Sequence, residues 1–162
     1  MIVEIAAPNG DLPFLLFAIG FPIFFVGLWV LITLVLSLVG GWSTLAQYYQ
    51  AQQPFFGTLI RFQAAQFRAG TNYNGCLNFG AGSEGLYLVP MAIFRAFHPP
   101  LLIPWNDISA RPIKVWSIFD LVELRFQRAP NIPVRIKPSL VTKLTEASIG
   151  RFTVRPNSPV AI

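Results

Sequence analysis

Charged residues are scarce in this chain, and its first forty residues contain no lysine or arginine. Asp, Glu, Lys and Arg make up 12% of the 162 residues, about half the share usual in soluble domains, whereas hydrophobic residues make up 54%. Glu4 and Asp11 are the only charged residues before position 41, so residues 41–162 carry twelve basic and five acidic residues, a balance of 12 − 5 = +7. This composition indicates that part of the protein lies in a solvent other than water.

One cysteine and one histidine leave little material for metal binding or acid-base chemistry. With Cys76 alone no internal disulfide can form, which fits a reducing compartment. His98 opens the stretch HPPLLIPW and has three interpretations: a catalytic or metal-binding group, a side chain that titrates near neutral pH, or a loop residue at a bend before a strand. A metal site needs several ligands, and Cys76 lies twenty-two residues from His98. The loop interpretation is therefore favoured, and neither a metal nor a cofactor is predicted.

The longest apolar run covers residues 14–39 and contains no charged residue. As a helix rising 1.5 Å per residue it would measure about 39 Å, more than the roughly 30 Å of a bilayer's hydrocarbon core, so it can span with some tilt. Pro22 indicates either a bend or the start of the embedded part. A buried core helix would be amphipathic, and a cleaved signal peptide would begin with basic residues where this chain has Glu4 and Asp11.

The charge asymmetry also predicts an orientation. Because Lys and Arg collect on the cytoplasmic side of membrane proteins, we expect the N-terminus outside and the basic part in the cytoplasm. The prediction is a single-pass protein of the cell inner membrane with five parts: an extracytoplasmic N-terminus (1–13), a transmembrane helix (14–39), a juxtamembrane helix or linker (40–57), a β domain (58–150) and a tail (151–162).

The stretch GGWSTLAQYYQAQQP predicts a short juxtamembrane helix that ends by Pro54. Its aromatic residues Trp42, Tyr48 and Tyr49 follow the apolar run directly. Such rings favour the headgroup level of a membrane, but they could equally pack inside the domain that follows.

Beyond this helix the apolar period changes from 3.6 residues to 2, which indicates strands. The clearest are LVELRFQ and IPVRIK, in which apolar residues alternate with polar ones. After Pro138, the stretch SLVTKLTEAS predicts a short helix with Ser139 as its N-cap and an apolar stripe of Leu140, Leu144 and Ala147. Five weaker strands, bounded by Gly, Pro, Asn or Asp, are predicted at 59–68, 76–79, 85–89, 101–105 and 111–118.

Seven short strands followed by one helix is the element order of the pleckstrin-homology-like (PH-like) fold. The segment from GLYL to HPPLLIPWNDI resembles the middle strands of bacterial PH-like and GRAM-like domains, and the resemblance as a whole covers about residues 58–150. The resemblance implies a mainly-β PH-like domain of about seven antiparallel strands and a C-terminal helix behind one transmembrane helix.

The stretch GWS..LA..Y followed by HPPLLIPW is also similar to small uncharacterised bacterial membrane proteins, which bring no activity with them. Some PH-like domains bind phosphoinositides through basic residues of the first hairpin, but here RAGTNYNGC offers only Arg68, a departure that argues against specific inositide binding.

Two motifs in GAGSEG resemble those of enzymes. Gly80, Gly82 and Gly85 satisfy the dinucleotide fingerprint G-x-G-x-x-G, but a strand follows where that motif needs a helix. We therefore predict a hairpin turn whose glycines adopt positive backbone angles. Ser83 nearly matches the nucleophile elbow G-x-S-x-G, with Ala81 in place of the first glycine, yet a serine in a turn is the ordinary finding. No catalytic residue is predicted.

The basic residues carry the remaining information. Arg125, Arg128, Arg135 and Lys137 lie on the outward faces or ends of two neighbouring strands, where they would concentrate charge on one surface, with Asp120 and Glu123 in solvated pairs beside them. An anionic leaflet attracts each such residue by about 1 kcal/mol. No nucleic-acid recognition motif accompanies the charge, and nucleic acid is not predicted as a partner. The predicted membrane- or partner-binding residues are Trp42, Tyr48, Arg125, Arg128, Arg135 and Lys137.

These features predict a non-catalytic, membrane-tethered binding or adaptor module whose basic domain docks on anionic lipid or on a protein partner. One alternative is an accessory subunit of a larger membrane complex, because Gly20, Gly27, Thr33 and Ser37 are small residues that allow close approach of helices. An enzyme that uses Ser83 or His98 is a further, less favoured alternative.

Overall fold

Two helices separated by one glycine open the described part of the chain. The computed structural model describes residues 11–115 and 119–152. Helix α1 spans Asp11–Gly40 and continues through Pro22, and α2 spans Trp42–Tyr49. Gly41 between them has a φ of 86°, in the left-handed region that favours glycine, and a Cβ here would lie 2.3 Å from Cδ1 of Ile132. Both the backbone angle and the close approach therefore require glycine at this turn.

A seven-stranded antiparallel sheet follows the helices, and a C-terminal helix, α3, spans Pro138–Ala147. Each strand overlaps one of the seven predicted from the sequence, so the predicted layout of a long apolar helix, seven strands and a final helix is confirmed. The strand order across the sheet is β4-β3-β2-β1-β7-β6-β5. The strands are β1 (Thr58–Gln66), β2 (Asn72–Ala81), β3 (Gly85–Pro90), β4 (Leu101–Pro104), β5 (Ile108–Val115), β6 (Phe119–Phe126) and β7 (Ala129–Ile136).

The C-terminal helix begins two residues earlier than predicted. Lys137, not Ser139, is its N-cap, because Pro138 fits the first helical position, where its fixed φ suits the helix and its missing N–H costs nothing. Leu140 and Leu144 are buried as predicted. Phe152 belongs to the core as well, with its ring centroid 5.6 Å from that of Trp105. The predicted extracytoplasmic residues 1–10, residues 116–118 and the loose C-terminal stretch 155–162 lie outside the described residues.

Helix α2 supplies part of the domain's core. Trp42, Leu45 and Tyr49 lie on one face of it and are at most 3% exposed. The Trp42 ring packs against the rings of Phe67 and His98, with centroids 5.5 and 5.3 Å apart. Of the two sequence interpretations of Trp42, packing within the domain is therefore the one that the structure shows.

Helix α1 is covered by the domain only along its C-terminal part. Its segment Pro13–Gly40 is long and apolar enough to cross a membrane. Thr33, Ser37 and Gly40 are buried against the domain and Trp29 is half-buried. Phenylalanine, leucine, isoleucine and valine side chains around the rest of the helix are exposed, as a lipid-facing surface would be.

Candidate functional site

Three arginines surround one buried carboxylate on the outward face of strands β5, β6 and β7. Glu123 is in register with Arg111 on one side and Arg135 on the other, and Arg125 follows two residues later on the same face. Glu123 Oε1 accepts hydrogen bonds from Nη2 of Arg111 at 2.6 Å and from Nε of Arg125 at 2.8 Å, and Oε2 accepts one from Nε of Arg135 at 3.3 Å. We call Arg111, Glu123, Arg125, Arg135 and Lys137 the basic face.

The electrostatics of this face depend on Glu123, whose side chain is only 4% exposed. Burial alone would raise the pKa of Glu123, but hydrogen bonds from Arg125, Arg111 and Arg135 outweigh it, so the pKa lies below its usual value. Glu123 is therefore ionised at neutral pH. The prediction of a solvated pair at Glu123 is wrong, because three guanidinium groups from three strands cover its carboxylate.

One carboxylate leaves the three arginines with two uncompensated positive charges. Their side chains remain 52% (Arg111), 46% (Arg125) and 35% (Arg135) exposed, so their outer N–H groups can reach a ligand. Lys137, two residues beyond Arg135, is exposed and points the same way. Arg135 and Lys137 also line an open cavity of about 320 Å³, together with apolar residues that include Ala64, Val115, Phe119 and Leu121.

The basic face lies close to the C-terminal end of α1. Arg68, at the tip of the β1–β2 hairpin, donates from Nη2 to the Leu38 carbonyl at 3.0 Å and from Nε to the Val39 carbonyl at 3.2 Å. It thus places a cation at the negative end of the helix dipole and satisfies carbonyls that the helix itself cannot. Gln66, two residues before Arg68, accepts a hydrogen bond from Nη1 of Arg135 at 3.1 Å.

Two of the remaining predicted residues, Tyr48 and Arg128, form a second group on another part of the surface. Tyr48, 49% exposed, lines an open cavity of about 310 Å³ together with Arg128. Arg128 is paired with Asp107 at 3.4 Å, and its backbone N–H donates to the Tyr49 hydroxyl at 3.0 Å. The structure therefore brings Arg125, Arg135 and Lys137 together, separates Tyr48 and Arg128 from them, and buries Trp42 completely.

His98 is a buried side chain with two hydrogen bonds. It is 1% exposed, its Nδ1 lies 2.9 Å from the Ala96 carbonyl oxygen, and its Nε2 lies 2.7 Å from the Tyr73 hydroxyl. Since the carbonyl can only accept, the neutral ring carries its proton on Nδ1, and Nε2 accepts from Tyr73. Burial lowers the pKa of His98, and the hydrogen bond to Ala96 opposes this only in part. Burial likewise raises the pKa of Tyr73, which keeps the hydroxyl protonated as a donor.

These contacts predict that acid destabilises the protein through His98. The pKa of His98 in the folded protein is below its unfolded value of 6.5, so the stability contributed by the neutral ring is complete above about pH 6.5 and is lost as the pH falls toward the folded pKa. We expect the melting temperature of the full chain in neutral detergent micelles to fall between pH 7 and about pH 5. The same measurement on His98→Gln should give a flatter profile over this interval. Equal slopes for both proteins would contradict the prediction.

The glycine-rich turn joins β2 to β3, as predicted, but the prediction that its glycines adopt positive backbone angles is wrong. Positive φ angles occur at four described glycines, and Gly80, Gly82 and Gly85 are not among them. Gly85 is required by space: a Cβ there would lie 2.1 Å from the Ile103 carbonyl oxygen on the neighbouring strand. A strand follows the turn, so no helix N-terminus is present to receive a pyrophosphate.

Ser83 and His98 lie at opposite ends of the sheet. Ser83 is in the turn just after Ala81, whereas His98 contacts Tyr73 near the other end of β2. The eight residue steps from Tyr73 to Ala81 span about 26 Å in an extended strand. Side chains so far apart cannot form a nucleophile and base pair.

No family model, curated protein or solved structure matches this chain. Function must therefore be inferred from the chain's own residues.

Proposed function

We propose that the protein is a single-pass, membrane-tethered docking module whose PH-like domain binds anionic lipid headgroups through its basic face. The observation that carries this proposal is the cluster of three half-exposed arginines around Glu123, beside the end of the apolar helix. In this proposal the domain is cytoplasmic, the N-terminus is outside, and no reaction is catalysed.

The distance from the helix end to the basic face supports lipid as the ligand. From the Cα of Arg68, whose side chain contacts the α1 carbonyls, two residues of extended chain and one strand spacing lead to the Cα of Arg135, about 11 Å in total. The headgroup layer extends several ångströms beyond the hydrocarbon core, and the Debye length at physiological salt is about 8 Å. Anionic headgroups around α1 therefore lie within electrostatic reach of Arg135 and its neighbours.

The strand order and the final helix support the PH-like assignment, since the seven strands and one helix occur in the order of that fold. The site differs from the inositide site of some PH-like domains. The sole basic residue of the first hairpin's RAGTNYNGC segment, Arg68, is already hydrogen-bonded to α1, and the clustered exposed charge lies on β5, β6 and β7 instead. This supports recognition of negative charge in general over recognition of one inositol phosphate.

The accessory-subunit alternative receives less support from α1. Two of its four small residues, Thr33 and Ser37, are buried against the protein's own domain. A Cβ added at Gly20 or Gly27 would meet no atom of the other described residues within 4 Å, apart from the adjoining backbone of the helix itself. A second helix could reach these glycines, but no contact of the described chain calls for one.

The proposal predicts that anionic lipid draws the basic face toward the bilayer. Full-length protein with Cys76→Ala and Ser109→Cys, labelled with a fluorophore at residue 109 beside Arg125, would be placed in phosphatidylcholine bilayers with or without phosphatidylglycerol. Quenching by headgroup-labelled lipid should be stronger with phosphatidylglycerol and should decline as salt is added. Arg125→Gln with Lys137→Gln should weaken docking by about 2 kcal/mol, a roughly 30-fold change in the ratio of docked to undocked protein.

The matched control removes the same charge elsewhere. Arg61→Gln with Lys143→Gln changes two exposed basic residues of β1 and α3 that lie outside the basic face. This control should keep the lipid-dependent quenching. Equal quenching in neutral and anionic bilayers, or equal losses in both double variants, would contradict the proposal.

A further inference from the structure

The polar side chains of α1 form a single stripe. Between Pro13 and Gly40 the helix contains only three residues with a polar side-chain group, Trp29, Thr33 and Ser37. Their spacing of four residues places them on one face of the helix. That face packs on the connection between β3 and β4, residues 91–97, with the sequence MAIFRAF.

Three contacts hold this connection against α1. Trp29 Nε1 donates to the Ile93 carbonyl at 3.2 Å, and its ring centroid lies 5.1 Å from that of Phe94. Eight residues further along α1, the Ser37 hydroxyl donates to the Phe97 carbonyl at 2.7 Å. Thr33, between them, donates to the Val30 carbonyl within α1 itself at 2.8 Å. The connection therefore runs along the helix rather than ending beside its last turn.

The contact at Trp29 lies deep along the apolar segment. At 1.5 Å per residue, Trp29 is about 16 Å from Gly40 along the helix axis. The other faces of the helix at this level expose Leu31, Ile32 and Val35, each 46% exposed or more. Acyl chains that cover these side chains would also surround the connection packed on the opposite face.

The connection itself has the character of a lipid-facing element. Ile93 is 63% exposed and Phe97 is 47% exposed, which water would disfavour and hydrocarbon would not. Arg95 is the one charged residue, and its long side chain can extend to the headgroups while its stem stays in apolar surroundings.

Most carbonyl oxygens of the connection accept hydrogen bonds inside the protein, which lowers the cost of placing them in hydrocarbon, whereas the N–H groups of Ala92, Ile93, Ala96 and Phe97 have no acceptor among the described residues. Besides the bonds from Trp29 and Ser37, the backbone N–H groups of Phe94, Arg95 and His98 donate to carbonyls within the connection. The Nδ1–H of the His98 ring donates to one more carbonyl, that of Ala96. The carbonyls that accept are those of Met91, Ala92, Ile93, Arg95, Ala96 and Phe97.

We infer that residues 91–97 are a second membrane-embedded element, inserted from the side of the domain into one leaflet alongside α1, with Ile93 and Phe97 among the acyl chains. The inference rests on the proposed membrane tether. It extends that proposal because the domain would then be fixed to the bilayer at two places, the helix and this connection.

The test measures the depth of labelled cysteines in full-length protein. In a Cys76→Ala background, Ala92→Cys, Ile93→Cys, Phe24→Cys and Glu84→Cys would each carry an environment-sensitive fluorophore in phosphatidylcholine vesicles. Residue 24 lies in the middle of α1, residue 84 is exposed in the β2–β3 turn, and Ala92→Cys is the smallest change in the connection. We expect labels at 92 and 93 to be quenched by nitroxides on the acyl chains, to emit at shorter wavelength and to resist aqueous iodide, whereas the label at 84 should be quenched by iodide.

The two proposals fail in different ways. If the label at 24 is quenched by acyl-chain nitroxides while those at 92 and 93 are quenched by iodide, the tether stands and the embedded connection is wrong. If the label at 24 is also quenched by iodide, the tether itself is wrong. A melting temperature measured for each labelled variant shows that it is folded, and Ala92→Cys alone suffices to decide if Ile93→Cys does not fold.

Discussion

Replacing Trp42 with alanine should lower the free energy of unfolding by about 3–5 kcal/mol, the usual loss when a large aromatic side chain is removed from a core. The Trp42 ring is 0% exposed and packs against Phe67, Tyr73 and His98. Its Nε1 donates to the Pro99 carbonyl at 3.0 Å. The variant therefore loses aromatic packing and also leaves a carbonyl without its donor.

This effect would be measured by guanidinium unfolding of the full chain in neutral detergent micelles. Tyr48→Ala is the matched control, because Tyr48 is an aromatic residue of the same helix but is 49% exposed, and we expect a change within about 0.5 kcal/mol. Trp42→Phe should lie between the two variants, since it keeps a ring but loses the indole donor. Similar losses for Trp42→Ala and Tyr48→Ala would show that α2 is not part of the core.

Replacing Glu123 with glutamine should destabilise the protein by about 2–3 kcal/mol at pH 7. The amide cannot offset three positive charges, and Arg111, Arg125 and Arg135 would then repel one another across neighbouring strands. The loss should stay below that of a fully buried ion pair, because the arginines keep contact with water.

The pH dependence gives a second measure of this site. Because the folded pKa of Glu123 is below its usual 4.5, its contribution is present above about pH 4.5 and is lost as the pH falls through the folded value. The difference in stability between the unsubstituted protein and Glu123→Gln should therefore shrink below about pH 4. Glu146→Gln, at an exposed carboxylate of α3, is the control and should change stability little. A difference that persists at low pH would contradict the assigned ionisation.

The sequence predicted the parts of the fold that depend on local periodicity. Alternating residues in β6 and β7 defined the inward and outward faces, and the length of the apolar run defined α1. The same alternation placed Arg125 and Arg135 outward. The alternation places Glu123 outward too, but its burial could not be foreseen, because two of the three arginines that cover it, Arg111 and Arg135, come from strands whose register is set by pairing across the sheet.

Arg111 and the β3–β4 connection were missed for similar reasons. Arg111 joins the basic face only through the register of β5 with β6. Residues 91–97 have no regular period, and their role appears only when α1 lies beside them. One signal was present in the sequence: the four-residue spacing of Trp29, Thr33 and Ser37 marks one side of an otherwise apolar helix as the side that meets the protein. For Trp42 the sequence pattern leaves two locations open, because an aromatic residue after an apolar run suits the headgroup level of a membrane and the core of a domain equally well.

Gly41 alone joins α1 to α2, with no flexible spacer between them. Hydrogen bonds from Arg68 to the Leu38 and Val39 carbonyls, and from Ser37 to the Phe97 carbonyl, also hold the end of α1 against the domain. The helix and the sheet must consequently tilt together as one rigid unit. A helix longer than the hydrocarbon core leans further in a thinner bilayer. If α1 crosses the membrane as proposed, bilayer thickness would thus set the angle at which the arginine-bearing side of the sheet meets the lipid surface.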